Sequence, residues 1–234
     1  MKYAVNFIAS NAHSTGARAL ILLFFVTLTG CSLTRPTARP AVYDFGPGGL
    51  SSAPAPQAGH VGASALAPLV LEEVKASSAL DGSAVLYRLA YTNAQQLRPY
   101  AQARWSMPPA QLVRQRLREQ LGQDRALLEP GAVVSAAKLA TPDGLASVTP
   151  INLGVELEEF SQLFETPGSS VGLLRLRATL TQASPSGAGL LAQRIIVVQR
   201  PAPSADAVGG VQALKLATDA AAQELAQWLQ QLGR

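Results

Sequence analysis

The chain is 234 residues long and has one cysteine, two histidines and two methionines. With Cys31 alone, an internal disulfide is impossible. His13 falls in an apolar leader and His60 in a stretch of low complexity. A Ser-His-Asp or Cys-His arrangement would therefore rest on His60, in a segment ill-suited to hold it rigidly. Zinc and other transition metals lack ligands for the same reason. There is no G-x-x-x-x-G-K-[ST] loop, and the Gly-rich turn at 184–189 contains no lysine, so an ATP site is unsupported. Charge is scarce too, at 15% of residues, with a formal surplus of +4. Lys2 and Arg18 belong to the leader, which leaves 17 basic against 15 acidic residues. Without a basic run or an interleaved aromatic stripe, that surplus excludes nucleic acid as a partner. Glu156 and Glu158 are spaced to share a strand face, with Glu159 and Glu165 nearby. Outward glutamates on a strand are far more often a solvated surface than an acid–base pair. The reading is of a protein that is not an enzyme and uses no metal and no cofactor beyond covalent acyl chains.

Apolar residues make up 48% of the chain, enough for one medium-sized core. Residues 1–30 read as a targeting segment. Lys2 and Arg18 precede the apolar run Ala19-Leu-Ile-Leu-Leu-Phe-Phe-Val26, and small residues then lead to Leu28-Thr29-Gly30-Cys31. The run is short of the ~20 apolar residues that a transmembrane helix needs. The tetrapeptide ending at Cys31 resembles the bacterial lipobox. That resemblance implies a thioether-linked diacylglyceryl group on Cys31, cleavage before it, and acylation of the new amino group. Two or more acyl chains anchor a protein stably. The alternative, a buried thiol, fits poorly with the polar and broken Thr34-Arg-Pro-Thr-Ala-Arg-Pro40 that follows. The protein is thus expected in the cell envelope, facing the periplasm. Ser32, standing where no aspartate does, points to the outer membrane by analogy with enteric sorting.

Residues 31–67 read as the acylated N-terminus and a flexible tether, with Gly/Ala/Pro/Ser-rich sequence and no apolar period. As a coil, residues 32–67 would span roughly 30–36 Å. Val42-Tyr43-Asp44-Phe45 stands out as an island suited to docking on the folded part. A single globular domain is expected over 68–234.

Within it, Leu69–Val74 reads as a strand, Asp81-Gly82 as a turn, and Val85–Tyr91 as an alternating strand with Val85, Tyr87, Leu89 and Tyr91 on one face. Together they suggest a hairpin-like opening. Ser106 is the candidate N-cap of a helix ending at Gly122, with Val113, Leu117 and Leu121 on its apolar stripe, Leu112 on the flank, and Arg114 and Arg118 facing away. Leu127–Ser135 suggests a short strand and Thr141–Pro150 a loop. Ile151, Leu153, Val155 and Leu157 alternate strictly, and Phe160 and Phe164 continue the pattern after an irregularity at Glu158-Glu159. Pro167-Gly168 turns the chain into a strand with Leu174, Leu176, Ala178 and Leu180 on one face. Ser184–Gly189 turns it again into a third, Leu190–Gln199, so the three argue an antiparallel meander. From Asp206 to Leu232 the stripe Val211, Leu214, Ala221, Leu225, Trp228 and Leu232 predicts a helix packed on the sheet. The fold class is α+β: an antiparallel or mixed sheet covered on one face by two principal helices.

Several short pieces occur in a telling order. After the lipobox come Val42-Tyr43-Asp44-Phe45, then Leu80-Asp-Gly82 with Leu86-Tyr87-Arg88, and Leu97-Arg-Pro-Tyr100 with Arg104-Trp105. Pro109-Ala-Gln-Leu112, Glu158-Glu-Phe160 with Phe164, and Pro201-Ala-Pro-Ser-Ala-Asp206 follow. Over roughly 40–234 this set resembles the ABC-type transport auxiliary lipoprotein family. The resemblance implies a non-enzymatic partner of an ABC permease and ATPase and of a mammalian-cell-entry (MCE) domain protein. Such systems move phospholipids or other hydrophobic molecules across the Gram-negative envelope. A lipoprotein that binds a lipid itself, and one that regulates peptidoglycan synthesis, stay open as alternatives, as does assembly into a homo-oligomer. The aromatics and arginines of 87–105 are the candidate docking residues: Tyr87, Arg88, Tyr91, Tyr100, Arg104 and Trp105. Such side chains dominate interface hot spots. The two tyrosines of the 85–91 strand equally fit an inward face, and Trp105 equally fits packing beside the 106–121 helix.

Overall fold

A single long strand pairs with four of the others. The structure, a computed structural model, describes residues 39–47, 66, 68–130, 137–141, 144–148, 151–184 and 187–233. In chain order the elements are β1 (Ala41–Tyr43), β2 (Leu69–Leu71), β3 (Lys75–Ala76), β4 (Ala84–Leu89) and the one-turn helix α1 (Ala90–Asn93). Then come β5 (Ala94–Trp105), α2 (Pro109–Leu121), β6 (Leu127–Leu128), β7 (Ala137–Thr141) and β8 (Gly144–Val148). The chain continues with β9 (Ile151–Thr166), β10 (Ser169–Ser184), β11 (Gly187–Pro201) and α3 (Ala207–Gln231). The main sheet has nine strands and runs β1-β5-β4-β9-β10-β11, with β2 and β3 attached beside β9 and β6 beside β2; β7 and β8 pair separately.

The meander predicted from alternation is present, with β9, β10 and β11 antiparallel in turn. Its irregularity is a bulge. Arg175 registers with Glu159 and Leu176 with Leu157, which leaves Glu158 as the extra residue. That one insertion moves the buried set from odd to even positions. Ile151, Leu153, Val155 and Leu157 are buried before it, and Phe160 and Phe164 after it. Leu174, Leu176, Ala178 and Leu180 of β10, with Ile196 and Val198 of β11, continue this inner face.

Along its other edge β9 takes β2, β3 and β4 in succession, all parallel. The hairpin-like opening expected of 69–91 is therefore corrected: β4 pairs antiparallel with β5, and β2 pairs with β9 and β6. Tyr91 lies in α1, is 45% exposed, and belongs to no strand face. β5 has no counterpart in the sequence reading. Its Pro99 registers with Leu86 of β4, whereas β1 covers β5 only at Ala103–Trp105. A missing N–H is tolerated where a strand has one free edge.

The island near the N-terminus belongs to the sheet. β1 pairs in parallel with β5, and Phe45 is buried, so the fold starts well before residue 68. The stretch 141–150 holds β8, paired with β7, where a loop was expected, and the strand expected over 127–135 is described only at Leu127–Leu128. The leader, Cys31, His60 and most of the tether lie outside the described residues.

Both principal helices pack their stripes inward. Leu112, Val113, Leu117 and Leu121 of α2 are buried, as are Val211, Leu214, Ala217, Ala221, Leu225 and Trp228 of α3. Leu232 falls beyond the last turn and is 41% exposed, against expectation. Asp206 caps α3 by accepting from the Gly209 N–H at 2.8 Å. The N-cap of α2 is Pro108, with no side-chain hydrogen bond; Ser106 instead donates its N–H to the Tyr43 carbonyl at 2.7 Å. Glycine permits the close approach of α3 to the sheet. A Cβ at Gly172 would lie 2.6 Å from the Ala213 backbone, and one at Gly210 would lie 2.1 Å from Gln162 Oε1.

Candidate docking surface

Apart from Tyr91 in α1, the residues singled out over 87–105 come from two antiparallel strands, where neighbours in sequence point to opposite faces. β4 and β9 bring Tyr87 opposite Gln162 and Arg88 opposite Leu163. Tyr87 thus shares the helix-covered face with Gln162, and Arg88 lies on the uncovered one.

On the covered side the tyrosines form an aromatic patch. The Tyr87 and Tyr100 ring centroids are 4.6 Å apart, and Phe164 meets Tyr87 edge-on at 6.0 Å. Tyr100 donates its hydroxyl proton to Gln162 Oε1 at 2.8 Å, and Gln162 Nε2 donates to Ser170 Oγ at 2.8 Å. Gln162 is wholly buried and Ser170 nearly so. Burial pushes the Tyr100 phenol far above its ordinary pKa, and Tyr87 and Asp206 add to the effect. It remains a donor, as this chain of hydrogen bonds requires. The sequence reading missed Gln162 and Ser170. The one local hint of Gln162 is that it falls between Phe160 and Phe164 on the inward phase of β9.

Arg88 is committed within the fold. Nε and Nη2 reach the two oxygens of Glu159 at 3.2 and 2.9 Å, and Nη1 donates to the carbonyls of Ala94 and Gln95. Ser161 Oγ donates to Glu159 as well, at 2.6 Å. The guanidinium thereby ties β4 to β9 and to the start of β5, with about a fifth of its side chain exposed.

Trp105 is a core residue. It is 2% exposed, meets Phe45 edge-on at 5.8 Å, and lies 5.6 Å from the Phe160 ring. Trp105 thus packs in the core against Phe45 and Phe160 and presents no surface to a partner. Arg104, its neighbour, points the other way. It registers with Val42 of β1, which is 66% exposed, and is itself exposed and outside every ion pair among the described residues.

Two of the β9 glutamates, Glu158 and Glu159, are bound by arginines. Glu158 accepts from Arg175 at 2.6 Å and from Arg177 at 2.6 and 2.8 Å, which holds its carboxyl below the usual carboxylate range. On α2, Arg114 and Arg118 both reach Glu129. Among the described residues, no three of His, Cys, Asp and Glu gather as metal ligands would.

A family model described as the ABC-type transport auxiliary lipoprotein component matches residues 49–226. The chain belongs to that family. Auxiliary lipoproteins are transport components rather than a class of enzymes, and the family places the protein at the cell envelope. No curated protein matches the sequence at a significant level. Among solved structures, a Xanthomonas campestris protein is 16% identical, with a TM-score of 0.55 over 69% of this chain and 82% of that one. A second, uncharacterised protein is 13% identical, with a TM-score of 0.54 over 82% of this chain and 99% of the other. At these identities the likeness concerns the fold alone. The auxiliary lipoprotein has no helix, among its described residues, long and apolar enough to cross a membrane.

Proposed function

We propose that the protein is a lipid-anchored docking subunit of an MCE-associated ABC system that moves phospholipids or other hydrophobic molecules across the envelope. The observation that carries this reading is the family match over 49–226. Cys31, in its lipobox, receives the acyl chains and holds the protein at the periplasmic side of a membrane, the outer one by the identity of Ser32. Of the docking candidates, Arg104 beside Val42 supplies the contact. Tyr87, Tyr100 and Arg88 shape the fold around it, for their hydrogen bonds and ring contacts are internal. The inner face of the sheet is occupied by its own buried side chains, which favours docking over carriage of a lipid in an internal groove.

Affinity purification of the tagged full chain from crosslinked, detergent-solubilised envelopes tests the reading. Recovery of an MCE-domain protein and a permease is expected, with recovery lowered by Arg104→Glu. Their absence from crosslinked samples would overturn the transport partnership. Recovery unaffected by Arg104→Glu would overturn the docking assignment alone.

A further inference from the structure

At the far end of the sheet from Arg104, β11 has an edge that no strand among the described residues pairs with. It runs fifteen residues, Gly187–Pro201, where strands average about five or six. Proteins usually blunt such edges with charge, proline or brevity. Here the only proline is the last residue, the charges Arg194 and Arg200 lie toward the helix, and the helix-free face carries Leu190, Ile195 and Val197, which are 66, 44 and 50% exposed. Their register with Thr181, Arg177 and Arg175 places all three on that face.

The opposite side of the same edge overlooks an open groove of about 530 Å³ between β11 and α3. Arg194, Val198 and Arg200 line it from the strand, and Ala220, Glu224 and Gln227 from the helix. An edge strand with a groove beside a helix is the setting in which an extended segment adds to a sheet.

Charge selects the occupant. β10 and β11 contain Arg175, Arg177, Arg194 and Arg200 and no acidic residue. Glu158 engages the first two, and Glu224 engages Arg194 at 2.8 Å. Arg200 is exposed, donates to the Gln199 carbonyl, and has no carboxylate at ion-pair distance among the described residues. A second copy paired antiparallel about Val197 would set Arg194 opposite Arg200, and like charges across strands destabilise pairing. We propose that the β11 edge and its groove receive, as an added strand, an extended segment of a partner protein in which apolar and acidic residues alternate. The apolar residues continue the Leu190–Ile195–Val197 stripe, and the acidic ones face Arg194 and Arg200. Period-two geometry delivers both at once. This surface is separate from the docking contact at Arg104.

The test uses the full acylated chain in detergent and two labelled peptides, one alternating valine with glutamate and one alternating valine with lysine. Fluorescence anisotropy should show saturable binding of the valine–glutamate peptide and about tenfold or weaker binding of its lysine counterpart. Arg200→Glu, at an exposed position, should exchange that preference. Ile195→Lys with Val197→Lys should abolish binding, and hydrogen exchange of the complex should slow at 190–200 and not at 41–43. Equal binding of both peptides, no binding, or protection elsewhere would overturn the proposal. So would sedimentation showing two copies joined at β11 and separated by Ile195→Lys.

Discussion

Arg104 and Trp105 are adjacent in sequence and have opposite roles. The strand turns Trp105 into the aromatic core with Phe45 and Phe160, and turns Arg104 toward solvent beside Val42. Trp105→Ala should cost about 3–5 kcal/mol in urea unfolding, since removal of a buried indole leaves a cavity. Arg104→Ala should stay within about 0.5 kcal/mol of the parent in the same titration, as exposed substitutions do. Equal losses at the two positions would contradict this division. Tyr100 is a subtler case, because its hydroxyl satisfies a buried amide. Tyr100→Phe leaves Gln162 Oε1 without that donor and should lower stability by about 1–3 kcal/mol. Thermal melts of Tyr100→Phe and of Tyr100→Phe with Gln162→Met would show whether the loss comes from the orphaned amide, in which case the double variant recovers part of it.

At the level of elements, one residue sets the phase of β9. Glu158 is the bulge, and without it the side chains from 159 onward exchange faces. Deletion of Glu158 should therefore abolish cooperative unfolding by sending Phe160 and Phe164 to the uncovered face, whereas Glu158→Gln should fold. Circular dichroism and a two-state fit distinguish them; a cooperative deletion variant would refute the register argument. The same carboxylate gives β9 and β10 a pH dependence. Hydrogen bonds from Arg175 and Arg177 depress its pKa in the folded state. Its contribution is accordingly complete above the ordinary glutamate range and fades as pH falls through the folded value. The urea midpoint should drop as pH falls below the ordinary glutamate range, and Glu158→Gln should flatten that part of the curve.

For the whole molecule, the placement of β1 changes what lies between Cys31, the proposed anchor, and the fold. The expected tether ran from Cys31 to residue 67, but Ala41–Tyr43 are paired with β5. Residues 32–40 alone separate Cys31 from the sheet, and nine residues reach at most about 32 Å when fully extended. Cys31→Ala should move the protein from the membrane pellet to the soluble fraction while leaving the unfolding curve of the domain unchanged. Membrane fractionation equal to that of the parent would refute acylation at Cys31 as the anchor.

Much of this was present in the sequence because its signals are local. The lipobox on which the proposed acylation of Cys31 rests is contiguous and lies outside the described residues. The meander over β9–β11 is written in strict alternation, and its bulge shows as a break in phase at Glu158-Glu159. The N-cap and stripe of α3 lie within one segment, from Asp206 to Trp228. The polar β5, interrupted by Pro99, carried no comparable period. The parallel pairing of β2, β3 and β4 with one edge of β9 also left no local trace, because each strand's partner lies 75 to 82 residues away. The docking candidates fall between these cases. Alternation already sets Tyr87 against Arg88, and Arg104 against Trp105. Which of each pair faced the helices was decided only when β4 and β5 joined the sheet and α3 closed over it.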